Sequence, residues 1–121
     1  MKTILKITLV SAFVSLIISS CGSSGSGEMV ANLENGKVIY NKACIACHWK
    51  GVAGAAALED KPRWEEIAAK GMTVLLEHSI KGYTGKFGVM PEKGTCLDCS
   101  EQDMYDAISF MMGEAGVTAS K

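Results

Sequence analysis

The sequence of 121 residues contains few aromatic side chains: three Phe, three Tyr and two Trp. A chain of this length forms one domain at most, and so few large rings leave it a thin core. The formal net charge is −1, which gives no indication of nucleic-acid binding. No segment alternates apolar and polar residues over the length of a strand, so the sequence predicts an all-α chain.

Long apolar segments are also missing. The apolar-rich run from Ile7 to Ile18 is twelve residues long, which is too short to favour a membrane-spanning helix. Lys2 and Lys6 precede this run without any acidic residue, which is the layout of a secretory signal. We therefore predict that residues 1–20 form a signal peptide and that the protein is exported.

The end of this signal resembles a bacterial lipobox. Ser19 and Ser20 precede Cys21, which predicts cleavage before Cys21 and its lipidation; an ordinary signal peptide with a chance cysteine is the alternative. Gly22 is not Asp, which by analogy with lipoprotein sorting in Gram-negative bacteria favours the outer membrane. We expect a protein lipid-anchored at the periplasmic face of a bacterial membrane.

Residues 21–33 begin with a Gly/Ser-rich segment and are predicted to form a flexible tether, with the folded domain in residues 34–121. Apolar residues at helical spacing predict helices over about 34–47, 62–70 and 72–81, and a last helix that begins after Ser100. Residues 49–59 and the Gly-rich stretch 81–99 are expected to be loops.

The cysteines Cys44 and Cys47 and the adjacent His48 form a Cys-x-x-Cys-His run, the attachment signature of c-type haem. Two thiols one helical turn apart lie on one face of a helix, so both can form thioethers to the vinyl groups of a porphyrin. The imidazole that follows can ligate the iron. The run predicts one covalently bound haem c, although the same five residues also occur in zinc or redox sites.

A sixth iron ligand is predicted at Met90, which lies in the Gly-rich loop downstream of His48. Pro91 favours extended geometry at Met90, and a thioether ligand favours ferrous iron. The alternatives are that Met90 only fills space in the core, or that His78 is the ligand. Because His78 lies on an amphipathic helix, we expect it to be a surface residue.

Cys96 and Cys99 form a second Cys-x-x-Cys pair without a histidine. In an oxidising compartment after export, a structural disulfide is expected, and redox-active dithiol chemistry is the alternative.

Most of the mature chain, from residue 34 to 113, resembles the class I c-type cytochromes, and more narrowly the bacterial cytochrome c-five group. The resemblance is carried by Gly36 and Tyr40, Cys44 to His48, Gly51 to Ala55, Lys70 to Met72, Met90 to Gly94, and Cys96 and Cys99 before Ser100. It implies four to five short helices around one covalently bound haem, with the first and last helices crossing near Gly36 and Tyr40. It also implies that His48 and Met90 ligate the iron and that Cys96 and Cys99 form a disulfide.

One departure from the family pattern lies in the loop after His48. The family often has a proline there, next to the carbonyl that orients the haem-binding histidine, whereas this chain has Ala55-Ala56-Ala57. A backbone carbonyl is still available at this position, but we expect a looser loop.

These observations predict a monohaem electron carrier, not an enzyme, in a periplasmic or membrane-surface respiratory chain. Its partners are expected to be redox proteins that bind transiently, with four lysines as candidates to steer an acidic partner: Lys42, Lys50, Lys86 and Lys93. The alternatives are a haem-based enzyme accessory or gas-sensing domain with a labile Met90, and a zinc module formed by the four cysteines 44, 47, 96 and 99.

Overall fold

The structure, a computed structural model, describes residues 27–120. The predicted signal peptide, the predicted lipidation site Cys21 and the first part of the predicted tether lie outside the described residues. Within residues 27–120, no helix has both the length and the apolar character needed to cross a bilayer.

The described part of the chain is mainly helical. The helices are α1 (Leu33–Ile39), α2 (Ile45–His48), α3 (Lys61–Ala68), α4 (Met72–Lys81) and α5 (Glu101–Glu114). The predicted bounds of α4 are confirmed at both ends and those of α3 to within two residues, and α5 begins directly after Ser100 as predicted. The predicted first helix corresponds to α1 and α2 together.

The helix ends follow from local chemistry. The Asp60 carboxylate accepts a hydrogen bond from the Arg63 backbone N–H at 3.3 Å and so caps α3. Ser100 and Asp103 form a capping box at the start of α5. Gly71 and Gly82 bound α4 with φ of 85° and 79°, a region of backbone space that glycine enters without strain.

A π-helical turn, Tyr40–Cys44, joins α1 to α2 without a break. Within it the Ile45 backbone N–H donates to the carbonyl of Tyr40, five residues earlier, instead of four. The turn therefore contains one residue more than regular α-helical geometry would place there.

The region 81–99, predicted to be a loop, contains a small antiparallel hairpin. Its strands β1 (Tyr83–Gly85) and β2 (Gly88–Met90) pair with Tyr83 opposite Met90. The expectation of no strand was wrong here, because strands of three residues are too short to show alternation in sequence. Two 3-10 turns, Val52–Gly54 and Glu92–Thr95, complete the regular structure within residues 27–120.

The core is organised by the crossing of α1 and α5. Gly36 lies directly against the backbone of α5, and a β-carbon at this position would overlap the carbonyl oxygen of Asp106. The Tyr40 and Phe110 rings pack beside this contact with their centroids 5.5 Å apart. The crossing implied by the family resemblance is thus present, and it depends on the absence of a side chain at Gly36.

The carboxylate of Asp106 is fully buried at this crossing, with 1% of the residue exposed. It accepts hydrogen bonds from the Asn32 backbone N–H at 2.9 Å, from Asn35 Nδ2 at 2.8 Å and from Gln102 Nε2 at 2.7 Å. These three donors satisfy the buried group, and they join the start of α1 to α5.

The described residues ahead of α1 also contact α5. Gln102 donates a hydrogen bond to the Val30 carbonyl at 3.0 Å, and the Met29 side chain packs partly buried against the core. The part of the predicted tether that the structure describes is therefore joined to the domain.

We expect Gly36→Ala to lower the free energy of unfolding by roughly 1–3 kcal/mol, because a methyl group there must push the two helices apart. The matched control is Gly113→Ala in α5, where a β-carbon would meet nothing within 4 Å. That change should stabilise the protein by about 0.5–1 kcal/mol through helix propensity. Chemical denaturation followed by circular dichroism measures both, and a Gly36→Ala protein as stable as the unaltered one would contradict the close crossing.

Hydrogen bonds from Asn35 and from Ser100 hold the pKa of Asp103 below its usual range. Stability from this group is therefore present above the ordinary pKa of an Asp and is lost as the pH falls through the lower, folded-state value. We expect Asp103→Ala to cost about 1 kcal/mol at neutral pH and progressively less in acid. Unfolding titrations across pH test this. Glu101→Gln removes a charge from the same turn but no cap hydrogen bond, so an equal loss in both variants would contradict the assignment.

Candidate cofactor site

A cavity of about 390 Å³ lies between the Cys-x-x-Cys-His segment, the hairpin and α5. Its walls are mainly apolar, and α5 contributes Met104, Ala107, Ile108 and Met111. The two free thiols, the His48 imidazole and the Met90 thioether that the sequence singled out all line this one cavity.

The thiols of Cys44 and Cys47 are unpaired and lie on the cavity wall. Burial, and to a smaller extent the neighbouring Cys47, together raise the pKa of Cys44 to about 11. A buried thiol beside a second thiol stays protonated, and the apolar wall around the pair favours an uncharged thioether over a thiolate.

His48, the last residue of α2, is oriented by the loop that follows it. Its Nδ1 lies 2.9 Å from the Ala56 carbonyl oxygen, so Nδ1 carries the proton and donates, and Nε2 keeps its lone pair. Burial lowers the pKa of His48 and the charge of Arg63 lowers it further, while the hydrogen bond to Ala56 acts in the opposite direction. The site therefore favours the neutral imidazole, which is the form that ligates a metal.

The proximal loop, residues 52–57, has Ala55-Ala56-Ala57 where the family resemblance leads us to expect a proline, and α3 donates hydrogen bonds to it. Arg63 donates to the carbonyls of Gly54 and Ala55, the latter at 3.2 Å, and Trp64 Nε1 donates to the carbonyl of Ala57 at 2.8 Å. The carbonyls on both sides of Ala56 are thus fixed by side-chain donors. The sequence did not indicate this support from α3.

Met90 ends β2 in extended geometry, in agreement with the effect expected from Pro91. The residue is partly buried and lines the cavity. Met104 and Met111 of α5 line the same cavity, which the sequence analysis did not anticipate for methionines on helices.

His78 also lines the cavity, although the sequence analysis favoured a surface position. Its ring stacks on Tyr83 with centroids 4.1 Å apart and planes 17° apart. The ammonium group of Lys70 lies 5.0 Å from the centroid of the same Tyr83 ring. The imidazole of His78 is therefore part of an aromatic stack at the rim.

Cys96 and Cys99 are buried and joined by a disulfide, with their Cα atoms 5.4 Å apart. They lie just before α5, and the Lys93 ammonium donates to the Cys99 carbonyl at 2.7 Å. Because this pair is oxidised, the cysteines of the described region do not offer four thiolates to one zinc ion.

The donor set fits a haem attached through two thioethers. An apolar cavity that presents two thiols, a neutral imidazole and a thioether matches the chemistry of a flat apolar macrocycle and a low-spin iron. A cofactor of this kind also accounts for the thin aromatic core of the sequence.

Comparison with known proteins agrees with this chemistry. Residues 31–111 match the domain family described as cytochrome c oxidase, cbb3-type, subunit III. The chain is 35% identical over 106 residues to cytochrome c-555 of Chlorobaculum tepidum, an alignment that covers 87% of this chain and 98% of the relative. It is 40% identical over 77 residues to cytochrome c5 of Ectopseudomonas mendocina, which covers 62% of this chain and 84% of the relative.

Two solved structures share the fold. A cytochrome c crystallised in an electron transfer complex with nitrite reductase matches with a TM-score of 0.62 and 34% identity, covering 71% of this chain and 99% of the other. A mono-haem ferrocytochrome c from Shewanella putrefaciens matches with a TM-score of 0.53 and 40% identity, covering 67% of this chain and 95% of the other.

Proposed function

This chain belongs to the class I c-type cytochromes and is a monohaem electron carrier, and from this premise we propose that its haem c is attached to Cys44 and Cys47 with His48 and Met90 as iron ligands. The observation that supports the assignment is that these four side chains line a single cavity. The hydrogen bond from His48 Nδ1 to Ala56 adds to it by leaving Nε2 as the free nitrogen.

Haem c, when bound, supplies a one-electron couple at its iron. The chain's contribution is a fixed environment for that couple. Ala56 holds the His48 ring through a hydrogen bond that is already formed, and the Met90 thioether favours the reduced state. A ligand set that changes little between oxidation states suits a carrier, and two protein ligands leave no open position for an enzyme reaction.

Met90 is favoured over the other methionines of the cavity by its packing. Met104 and Met111 are 1% and 4% exposed and belong to the hydrophobic core. Met90 is only partly buried and lies outside that core cluster. Met90 therefore has no assigned place in the core, whereas Met104 and Met111 already fill the interior.

The mouth of the cavity supports transient docking by apolar contact. Val52, Phe87 and Val89 line it and are 54%, 54% and 65% exposed. Lysine steering receives less support, because three of the four candidate lysines have partners within the chain: Lys42 with Asp98, Lys50 with Glu59, and Lys93 with the Cys99 carbonyl. A small apolar contact suits an electron-transfer complex, and the relative solved with nitrite reductase supports redox proteins as the partner class.

Export and lipid anchoring at Cys21 complete the proposal. Their support is the Lys-rich start, the apolar run and the small residues before Cys21. Met29 packs against the domain, and the eight residue steps from Cys21 to Met29 span at most about 29 Å when fully extended. An anchor at Cys21 would therefore hold the domain near the membrane surface, with the outer membrane favoured by Gly22.

We expect Met90→Ala to abolish the near-infrared band of methionine coordination in the oxidised protein and to let carbon monoxide bind the reduced protein rapidly. The control is Met104→Leu, which retains apolar volume in the same cavity and should keep the band. Absorption spectra measure both variants. Loss of the band in Met104→Leu alone would contradict the assignment, and rapid carbon monoxide binding by the unaltered protein would favour the gas-sensing alternative.

Cys21→Ser should release the protein from the membrane fraction, because the lipidated sulfur is lost. Mass spectrometry of the mature protein should find an acylated Cys21 and one added haem in the unaltered chain, and only the haem in the variant. Ser24→Ala leaves Cys21 and the small residues before it in place and is the control. A Cys21→Ser protein that stays membrane-bound would contradict the anchor without affecting the haem assignment.

A further inference from the structure

Arg63 lies between the two segments that carry the proposed iron ligands. On one side its guanidinium donates Nη1 to the Ala55 carbonyl at 3.2 Å and Nη2 to the Gly54 carbonyl. On the other side its Cζ lies 4.1 Å from the centroid of the Phe87 ring, in the turn of the hairpin. One side chain therefore contacts both the proximal loop and the hairpin.

The two segments also touch through their backbones. A β-carbon on Gly54 would overlap the carbonyl oxygen of Phe87, and one on Gly88 would overlap the carbonyl oxygen of Ala53. The 3-10 turn and the hairpin turn are thus in direct contact beside Arg63, and together they close one edge of the cavity.

Each segment leads within a few residues to a proposed ligand. On the proximal side, the carbonyls that Arg63 holds immediately precede Ala56, which receives the His48 hydrogen bond. On the hairpin side, Phe87 is followed by β2, whose last residue is Met90. The Arg63 contacts therefore lie within three residues of Ala56 on one side and of Met90 on the other.

We propose that Arg63 is a positioning residue that fastens the His48 segment to the Met90 segment, an arrangement called here the Arg63 clasp. It consists of Arg63, the carbonyls of Gly54 and Ala55, and the ring of Phe87. The clasp rests on the proposed ligand set, and it keeps the Met90 side of the cavity closed against small ligands.

The geometry of arginine is essential to this role. Its planar group can donate two hydrogen bonds in its plane while its face stacks on an aromatic ring. Lysine retains the charge but cannot make both contacts at once. The nearby Lys86 ammonium lies 5.2 Å from the Phe87 ring centroid and has no contact with the proximal loop carbonyls.

The test uses the full haem-containing protein and the variant Arg63→Lys. We expect urea to remove the near-infrared methionine band at a lower concentration, ahead of the loss of helical circular dichroism. We also expect carbon monoxide to bind the reduced variant about tenfold faster, because opening of the Met90 side limits its entry. The control is Lys61→Gln on the same helix, which removes a long cationic side chain that pairs with Glu65 and should change neither readout.

A double-mutant cycle with Phe87→Leu separates the clasp from other roles of Arg63. Phe87 is 54% exposed, so its replacement should not prevent folding. The clasp predicts that Phe87→Leu accelerates carbon monoxide binding about as much as Arg63→Lys does, and that the double variant is no faster than either single variant. Rates that multiply would overturn it and would indicate that Arg63 acts elsewhere, for example on a haem carboxylate.

The measurements distinguish a failure of the Arg63 clasp from a failure of the proposed ligand set. A near-infrared band that is present in the unaltered protein but is indifferent to Arg63→Lys would overturn the clasp alone. Absence of the band in the unaltered protein would overturn the proposed Met90 ligation, and the clasp with it.

Discussion

The close approach of α1 to α5 at Gly36 is the constraint on which the cavity depends. Because no side chain separates the two backbones there, α1 lies directly against α5, and the chain that continues from α1 carries Cys44, Cys47 and His48 past the apolar face of α5. The buried Asp106 carboxylate also stabilises this crossing, because it accepts hydrogen bonds from the three donors around it. The position of the proposed thioethers relative to the cavity wall follows from one contact between two helices.

The two proposed iron ligands are held by less regular secondary structure than the thiols are. His48 depends on a loop without a proline, and Met90 on a hairpin with strands of three residues. Both segments are contacted by side chains of α3: Arg63 and Trp64 donate to carbonyls of the loop, and Arg63 also lies over the Phe87 ring of the hairpin. Where the family resemblance leads us to expect a proline, this chain has hydrogen bonds from a neighbouring helix.

Much of the fold could be predicted from sequence, because its signals are local. Gly71 and Gly82 define α4, Ser100 starts α5, and the spacing of Cys44, Cys47 and His48 identifies the cofactor segment. The features that were missed depend on contacts distant in sequence. From its residue type alone, Asp106 would be placed at the surface, and only the amide groups that donate to it explain its burial. The position of His78 in the cavity involves its stacking on Tyr83. The hairpin was missed because its strands are shorter than the pattern that reveals strands.

The π-turn at Tyr40–Cys44 changes the direction in which side chains point along one continuous helix. Gly36 before the turn and Tyr40 at its first residue face α5. Downstream of the turn, every residue is rotated by about one residue's share of a helical turn, roughly 100°. The first half of this helix can thus contact α5, and its second half can contact the proposed haem. A helical wheel drawn with regular α-helical spacing from Gly36 would misplace the thiols of Cys44 and Cys47. This segment therefore needs one wheel for each side of the turn.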